Sequence, residues 1–126
     1  MSEPRTPPRT ILVVDDNRDA VLLLSRMLAR WGHTVHTAHD GAGAVQMADE
    51  HRPDVVLLDI GLPVMDGYEV AEKLQSLDPP YQGTLVALTG YGKEEDLARA
   101  EQAGFTRHLL KPVDLGVLSR LLAELP

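Results

Sequence analysis

The fold is indicated most clearly by residues 55–67, which read Val55-Val-Leu-Leu-Asp-Ile-Gly-Leu-Pro-Val-Met-Asp-Gly67. Four consecutive branched apolar residues are typical of a strand that is buried on both faces, as in a parallel sheet. The run ends at Asp59, and the loop that follows ends at Asp66, three residues before Glu69, in the pattern of a helix cap. This segment therefore predicts a buried strand, a loop that carries carboxylates, and a helix.

The same succession of strand and helix recurs on both sides of this segment. Short apolar runs predict strands at residues 11–14, 33–38, 55–58, 84–88 and 107–110. Segments of helical periodicity follow them and begin near Asn17, Asp40, Asp66, Lys93 and Asp114. Five strand-then-helix units predict an α/β fold, a flavodoxin-like (βα)5 doubly wound sandwich. Its five-stranded parallel sheet is expected to have the order 2-1-3-4-5.

The composition indicates one acidic domain and argues against several classes of protein. The chain has 126 residues, a net charge of −7 and no cysteine. The charge argues against direct binding to nucleic acid or to an anionic membrane, and the lack of cysteine excludes disulfides and thiolate metal sites. The apolar runs are far shorter than the roughly 20 residues of a membrane span. We expect a cytoplasmic protein with a flexible tail at residues 1–9 and a folded domain at residues 10–126.

Polar side chains that can bind a metal ion or take part in a reaction follow the predicted strands, at the carboxyl end of each strand. Asp15 and Asp16 come after the first strand, Asp59 after the third, Thr89 after the fourth and Lys111 after the fifth. Because the first and third strands are neighbours in the predicted order, the three carboxylates are expected to converge at one edge of the sheet. Converging carboxylates repel one another, and oxygen ligands favour a hard cation, Mg²⁺ or Mn²⁺. Such a site suits a phosphoryl group.

Each of these residues also has an ordinary structural interpretation. Asp15-Asp16 alone is most often a solvated turn or a helix cap, and Asp66 is better explained as a cap because Glu69 follows it. A flavin site needs a Gly-rich or Ser/Thr-rich loop after the first strand, and an aspartate-based phosphatase needs a second Asp where Gly61 stands. Three histidines are expected to alternate between the faces of the second strand, which argues against a zinc site: His33, His36 and His39.

Four segments resemble the signature segments of response-regulator receiver domains of two-component signalling. They are residues 11–16, 55–67, 87–90 and 110–114, in that order. The resemblance implies a phosphorelay module that receives a phosphoryl group from a histidine kinase or a histidine phosphotransfer domain. It implies a conformational signal to an unknown output partner or attached domain, and no enzymatic activity on a separate substrate. The segment at residues 88–92 is most similar to the receivers of hybrid histidine kinases.

The resemblance also implies roles for individual residues. Asp59 would be the phosphoacceptor, Thr89 and Lys111 would hold the phosphoryl oxygens, and the peptide bond before Pro112 would be cis. The implied Mg²⁺ ligands are Asp15 (mainly through water), Asp16 (directly), Asp59 and the backbone carbonyl of Gly61.

The expected switch surface departs from the family pattern at one position. Many receivers have Tyr or Phe three residues before the lysine of the Lys-Pro pair, and this chain has His108. Tyr91, two residues after Thr89, is expected to border the path of the water that hydrolyses the acyl phosphate.

An alternative is a degenerate receiver that serves only as an interaction module, which the complete set of acidic, threonine and lysine residues argues against.

Overall fold

The apolar runs of the sequence form one parallel sheet in the order β2-β1-β3-β4-β5, which confirms the predicted topology. This computed structural model describes residues 7–90 and 97–125. The strands are β1 (Thr10–Val14), β2 (Thr34–Ala38), β3 (Val55–Asp59), β4 (Thr84–Thr89) and β5 (Phe105–Leu110). The helices are α1 (Arg18–Arg30), α2 (Gly41–His51), α3 (Gly67–Gln75), α4 (Leu97–Ala103) and α5 (Leu115–Glu124). Among these described helices, none has the length and apolar character needed to cross a membrane.

Side chains that precede the helices determine where four of them begin. Oδ1 of Asp66 accepts a hydrogen bond from the backbone N–H of Glu69 at 3.0 Å, which confirms the predicted cap of α3. Such a bond satisfies a backbone donor that the first turn of a helix leaves without a partner. The other helices with a cap of this kind follow Asn17, Asp40 and Asp114.

The sheet separates two apolar clusters, one on each of its faces. Val56 and Leu58 of β3 belong to the cluster that contains residues of α2, α3 and α4. Val55 and Leu57 belong to the cluster that contains residues of α1 and α5. All four side chains are fully buried, because successive residues of a strand point to opposite faces and helices cover both. The central strand is therefore apolar throughout, and its end reaches the functional edge of the sheet.

The last strand begins earlier than the sequence predicts. β5 starts at Phe105 rather than at residue 107, because Gly104 (φ 110°) ends α4 and the chain enters the sheet directly afterwards. The pairing with β4 is irregular at Leu85 and Val86, which face Phe105 and Arg107 and leave Thr106 as an extra residue. β5 lies at the edge of the sheet, and four of its six residues are exposed. The apolar pattern of β5 is consequently too weak to show where the strand starts.

The fourth helix has a sparse apolar face in the part that the structure describes. Ala100 and Ala103 are its buried residues from position 98 onward. The predicted helix spans residues 93–103, of which residues 93–96 lie outside the described residues. Alanine buries far less apolar surface than leucine, so the part of α4 after residue 97 buries less apolar surface than α1, which buries Val21, Leu24 and Leu28.

Candidate functional site

The structure brings the predicted acidic residues together at the carboxyl edge of the sheet. One oxygen of each of Asp15, Asp16 and Asp59 lies within 4.8 Å of the others. Asp15 follows β1 and is 2% exposed, and Asp59 is the last residue of β3 and is 6% exposed. Asp16 is exposed. Two buried carboxylates and one accessible carboxylate therefore share one small volume, and this arrangement is stable only if cations offset their charge.

Lys111 is the cation that joins the two buried carboxylates in the described part of the chain. Its Nζ donates a hydrogen bond to Oδ2 of Asp15 at 3.0 Å and another to Oδ2 of Asp59 at 3.1 Å. Although burial lowers the pKa of Lys111, hydrogen bonds and charge from both aspartates raise this pKa overall. Lys111 therefore stays protonated and compensates part of the negative charge at the edge of the sheet.

Asp59 is held in one orientation by two donors. Its Oδ1 accepts a hydrogen bond from the backbone N–H of Gly61 at 2.8 Å, while its Oδ2 accepts from Lys111. Burial raises the pKa of the Asp59 carboxyl and the charge of Asp15 adds to this rise, against the opposing effects of Gly61 and Lys111. The carboxylate is thus oriented but incompletely compensated, which favours the arrival of further positive charge.

The two neighbouring aspartates after β1 differ in their surroundings. Oδ1 of Asp15 accepts a hydrogen bond from the backbone N–H of Asn17 at 3.0 Å, and its Oδ2 is bound by Lys111. Asp16 has no hydrogen-bond or ion-pair partner within residues 7–90 and 97–125, and it lines the cleft beside Asp59. An accessible carboxylate without a partner is better suited to bind a metal ion directly than one whose oxygens are both occupied.

Thr89 and Lys111 are linked through the backbones of β4 and β5. The buried hydroxyl of Thr89 donates a hydrogen bond to the carbonyl oxygen of Leu109 at 3.4 Å. The backbone N–H of Lys111 donates to the carbonyl oxygen of Thr89 at 2.8 Å, and the Lys111–Pro112 peptide bond is cis. In this conformation the threonine hydroxyl is bound to the edge strand, and a stronger acceptor at Asp59 could compete for it.

A cleft of about 550 Å³ lies beside Asp59 and contains an arginine that the sequence analysis did not identify. Arg99 of α4 places its guanidinium 4.1 Å from the centre of the Tyr68 ring. Its Nη2 is 4.0 Å from Oδ2 of Asp66. No local sequence pattern could reveal this residue, because its partners belong to α3 and to the loop before it.

Of the two residues expected at the switch surface, the structure describes His108. Tyr91 lies outside the described residues. His108 is exposed on β5 opposite Ala87 and lines a groove beside α4, not the cleft at Asp59.

The three histidines near β2 have three different sets of neighbours. Nδ1 of His33 accepts a hydrogen bond from the backbone N–H of Arg9 at 3.1 Å. The ring of His36 stacks on the ring of His51, with 3.8 Å between their centres. Nδ1 of His39 lies 3.3 Å from the carbonyl oxygen of Asp15, beside the acidic site. The three imidazoles do not converge, since His33 and His39 flank opposite ends of β2 and His36 lies within it.

The sequence matches a known family over most of its length. A profile of the family described as "Response regulator receiver domain" matches residues 11–123. The transcriptional regulatory protein PrrA of Mycobacterium tuberculosis is 39% identical over 119 residues, which are 94% of this chain and 48% of PrrA. The chain thus spans about half the length of this relative.

Two solved structures share both the fold and part of the sequence. The receiver domain of sensor histidine kinase PA1611 from Pseudomonas aeruginosa, with a magnesium ion coordinated in the active site cleft, is 32% identical. Its TM-score is 0.81, and the match covers 92% of this chain and 95% of that one. A second match is in the co-crystal structure of the Saccharomyces cerevisiae histidine phosphotransfer protein Ypd1 with the receiver domain of Ssk1. That match has 27% identity and a TM-score of 0.84, and it covers 93% of this chain and 88% of that one.

Proposed function

Because the chain belongs to the response regulator receiver domain family of two-component signalling, we propose that Asp59 accepts a phosphoryl group in a Mg²⁺-dependent reaction. The observation that carries this proposal is the position of the Asp59 carboxylate. It is buried at the end of β3, oriented by the Gly61 N–H and by Lys111, and open to a cleft. A fixed carboxylate with a cation beside it is suited to in-line attack on phosphorus.

The metal part of the proposal is supported by the donor set. Asp15, Asp16 and Asp59 offer only oxygen ligands within a few ångströms of one another, and hard cations such as Mg²⁺ prefer these ligands. We propose that these three residues and the backbone carbonyl of Gly61 hold the ion, with Mn²⁺ as a substitute. When bound, the ion would supply positive charge that offsets the carboxylates and the incoming phosphoryl oxygens.

The phosphoryl donor that we propose is a phosphohistidine of a kinase or of a histidine phosphotransfer domain. A carboxylate oxygen of Asp59 attacks the phosphorus, the bond from phosphorus to the imidazole nitrogen breaks, and its electron pair remains on the imidazole. Lys111 neutralises charge on the transferred phosphoryl oxygens, and the Thr89 hydroxyl donates a hydrogen bond to one of them. The co-crystal structure with Ypd1 supports this class of partner.

The signal that we propose begins at Thr89. A phosphoryl group on Asp59 offers charged acceptor oxygens, which compete with the Leu109 carbonyl for the threonine hydroxyl. Movement of Thr89 would change its contact with β5 and shift the populations of two conformations of α4 and β5. We propose Tyr91 and His108 as parts of this switch surface. The output is a partner protein or an attached domain in the cytoplasm. A hybrid histidine kinase is one kind of protein in which this receiver domain would be attached to other domains.

The proposal is tested by replacing the phosphoacceptor. The protein is incubated with Mg²⁺ and either a phosphorylated histidine phosphotransfer domain or acetyl phosphate, and intact-protein mass spectrometry measures the phosphoryl groups gained. We expect one phosphoryl group on the parent and none on Asp59→Asn. Asp114→Asn is the matched control, because asparagine keeps the cap of α5 and lies outside the cleft. A stable phosphoryl group on Asp59→Asn would overturn the assignment.

A further inference from the structure

The cleft beside Asp59 has a second cation to which the reaction above gives no role. The guanidinium of Arg99 lies over the Tyr68 ring of α3, 4.1 Å from its centre. Tyr68 is buried and packs edge-on against Phe105, with 6.3 Å between the ring centres. A guanidinium over the face of a fixed aromatic ring is attracted to it. Arg99 is therefore held against the cleft wall by this ring while much of its side chain stays exposed to solvent.

The charges around the cleft show which cation a free anion can reach. Lys111 and Arg99 are the cations among the described residues that line it. Lys111 is engaged by Asp15 and Asp59 at hydrogen-bond distance. Arg99 is 60% exposed, and within residues 7–90 and 97–125 its nearest carboxylate oxygen, on Asp66, is 4.0 Å away. An exposed ion pair at this distance is weak, so a stronger anion can replace Asp66 as the partner of Arg99.

We propose that Arg99 is a specificity-determining residue that recruits small, freely diffusing acyl phosphates to Asp59. This inference rests on the proposed function, because Asp59 must be the acceptor. The donor is a doubly charged anion that must enter a cleft whose lining includes Asp16, Asp59 and Asp66. The planar guanidinium binds phosphate oxygens through paired hydrogen bonds. A protein donor brings a docking surface of its own and depends less on this contact.

The transfer that Arg99 assists requires no further reactant. A carboxylate oxygen of Asp59 forms a bond to phosphorus while the bond from phosphorus to the leaving carboxylate oxygen breaks. The leaving group departs as a carboxylate with the electron pair, so no proton, oxidant or reductant is consumed. Arg99 does not touch the reacting atoms in this scheme, and it acts by raising the local concentration of the donor.

The test measures phosphorylation rates over a range of acetyl phosphate concentrations, with Mg²⁺ present and mass spectrometry as the readout. Arg99→Gln is expected to lower the second-order rate constant roughly three- to fivefold, and Arg99→Lys to restore part of it. Arg107→Gln is the matched control, because Arg107 is exposed on β5 and lines the groove beside α4 instead of the cleft. Because the effect is electrostatic, added salt should reduce the difference between the parent and Arg99→Gln.

A second variant tests the competition with the capping residue. Asp66→Asn keeps the cap of α3 because asparagine is an equally good N-cap. It is expected to accelerate the reaction with acetyl phosphate, and to do so less in the Arg99→Gln background than in the parent. This non-additivity would show that Asp66 acts partly through Arg99.

The outcomes separate the inference from the proposed function. If Arg99→Gln reacts with acetyl phosphate at the rate of Arg107→Gln, the inference is wrong and the proposed function stands. An equal loss with acetyl phosphate and with a phosphorylated histidine phosphotransfer domain would also overturn it, since that pattern indicates a general disturbance of the site. If the parent gains no phosphoryl group from either donor, both the proposed function and this inference fail.

Discussion

Asp15 and Asp16 are adjacent in the chain, yet the fold gives them different surroundings. Asp15 is buried, and its two oxygens accept hydrogen bonds from Asn17 and Lys111. Asp16 is exposed and has no such partner in the part of the chain that the structure describes. A carboxylate already bound to the protein loses these bonds if it turns toward a metal ion, whereas an unbound carboxylate does not. The direct contact with the ion is therefore expected from Asp16.

This difference predicts how two substitutions change Mg²⁺ affinity. The parent should bind Mg²⁺ with a dissociation constant on the order of millimolar, because few protein ligands are offered and water completes the coordination. Asp16→Ala should weaken binding more than Asp15→Ala does. Isothermal titration calorimetry measures both, with Asp49→Ala as a control because Asp49 pairs with Arg52 away from the site. Equal losses in the two variants would contradict this assignment.

Val64, in the loop between β3 and α3, has a backbone conformation that suits valine poorly. Its φ is 68°, and its side chain is fully exposed. The left-handed region costs an L-residue roughly 1–2 kcal/mol, and asparagine tolerates it better than a β-branched residue does. Val64→Asn should thus raise the free energy of unfolding by about 1 kcal/mol in urea titrations. Val117→Asn, at an exposed helical position, should give no gain.

Among the elements, the first turn of α3 is pressed against the end of β3 that carries Asp59, the proposed phosphoacceptor. A Cβ atom on Gly67 would lie 2.5 Å from Cα of Ile60 and 2.9 Å from the carbonyl oxygen of Asp59. The backbone N–H of Gly67 also donates a hydrogen bond to the carbonyl oxygen of Ile60 at 3.2 Å. Both contacts are with backbone atoms, which cannot move aside as a flexible side chain can. Only glycine allows this approach of helix and loop.

Gly67→Ala is therefore expected to reduce both stability and reactivity. The added methyl group must displace backbone at Ile60, at a cost of about 1–3 kcal/mol of unfolding free energy. The displaced segment includes Asp59, so phosphorylation by acetyl phosphate should slow as well. Gly90→Ala is the control for stability, because its Cβ would meet no atom of residues 7–90 and 97–125 within 4 Å. A Gly67→Ala protein as stable as the Gly90→Ala protein would show that the contact is not restrictive.

At the scale of the whole molecule, both ends of the described chain meet at the amino edge of the sheet, opposite the acidic site. The backbone N–H of Arg9 donates to Nδ1 of His33, and Nη2 of Arg9 donates to the carbonyl oxygen of Leu125 at 2.8 Å. His33 is 6% exposed, and its Nδ1 must be unprotonated to accept this bond. Burial and the charge of Arg9 lower the pKa of His33 below its ordinary value of 6.5.

The lowered pKa of His33 predicts how stability depends on pH. In the unfolded chain His33 gains a proton as the pH falls below 6.5, whereas the folded protein still excludes that proton. Below this pH the unfolded state binds more protons, so the stability that His33 contributes declines as the pH falls and is fully present above 6.5.

Urea titrations at about pH 7.5 and pH 5.5 can measure this loss of stability. His33→Gln should lose less stability than the parent between the two values, and His108→Gln, an exposed histidine on β5, should lose as much as the parent. Equal losses of stability in all three proteins would show that His33 does not cause this pH dependence.

The fold class, the strand order and the edge at which the polar residues gather could all be predicted from the amino-acid sequence. These are consequences of local patterns: the buried run before Asp59, the caps at Asp40, Asp66 and Asp114, and the polar residues that follow each apolar run. The start of β5 could not be predicted, because an edge strand with one exposed face has a weak apolar pattern.

The pairing of the charges at the site, in contrast, follows from contacts between residues that are far apart in the chain. That Lys111 pairs with Asp15 and Asp59 and not with Asp16 depends on distances between strand ends, as does the hydrogen bond from Thr89 to Leu109. The position of Arg99 over Tyr68 depends on how α4 packs against α3. Contacts of this kind join residues that are distant in the chain, and neither periodicity nor spacing carries information about them, because both describe neighbours along the chain.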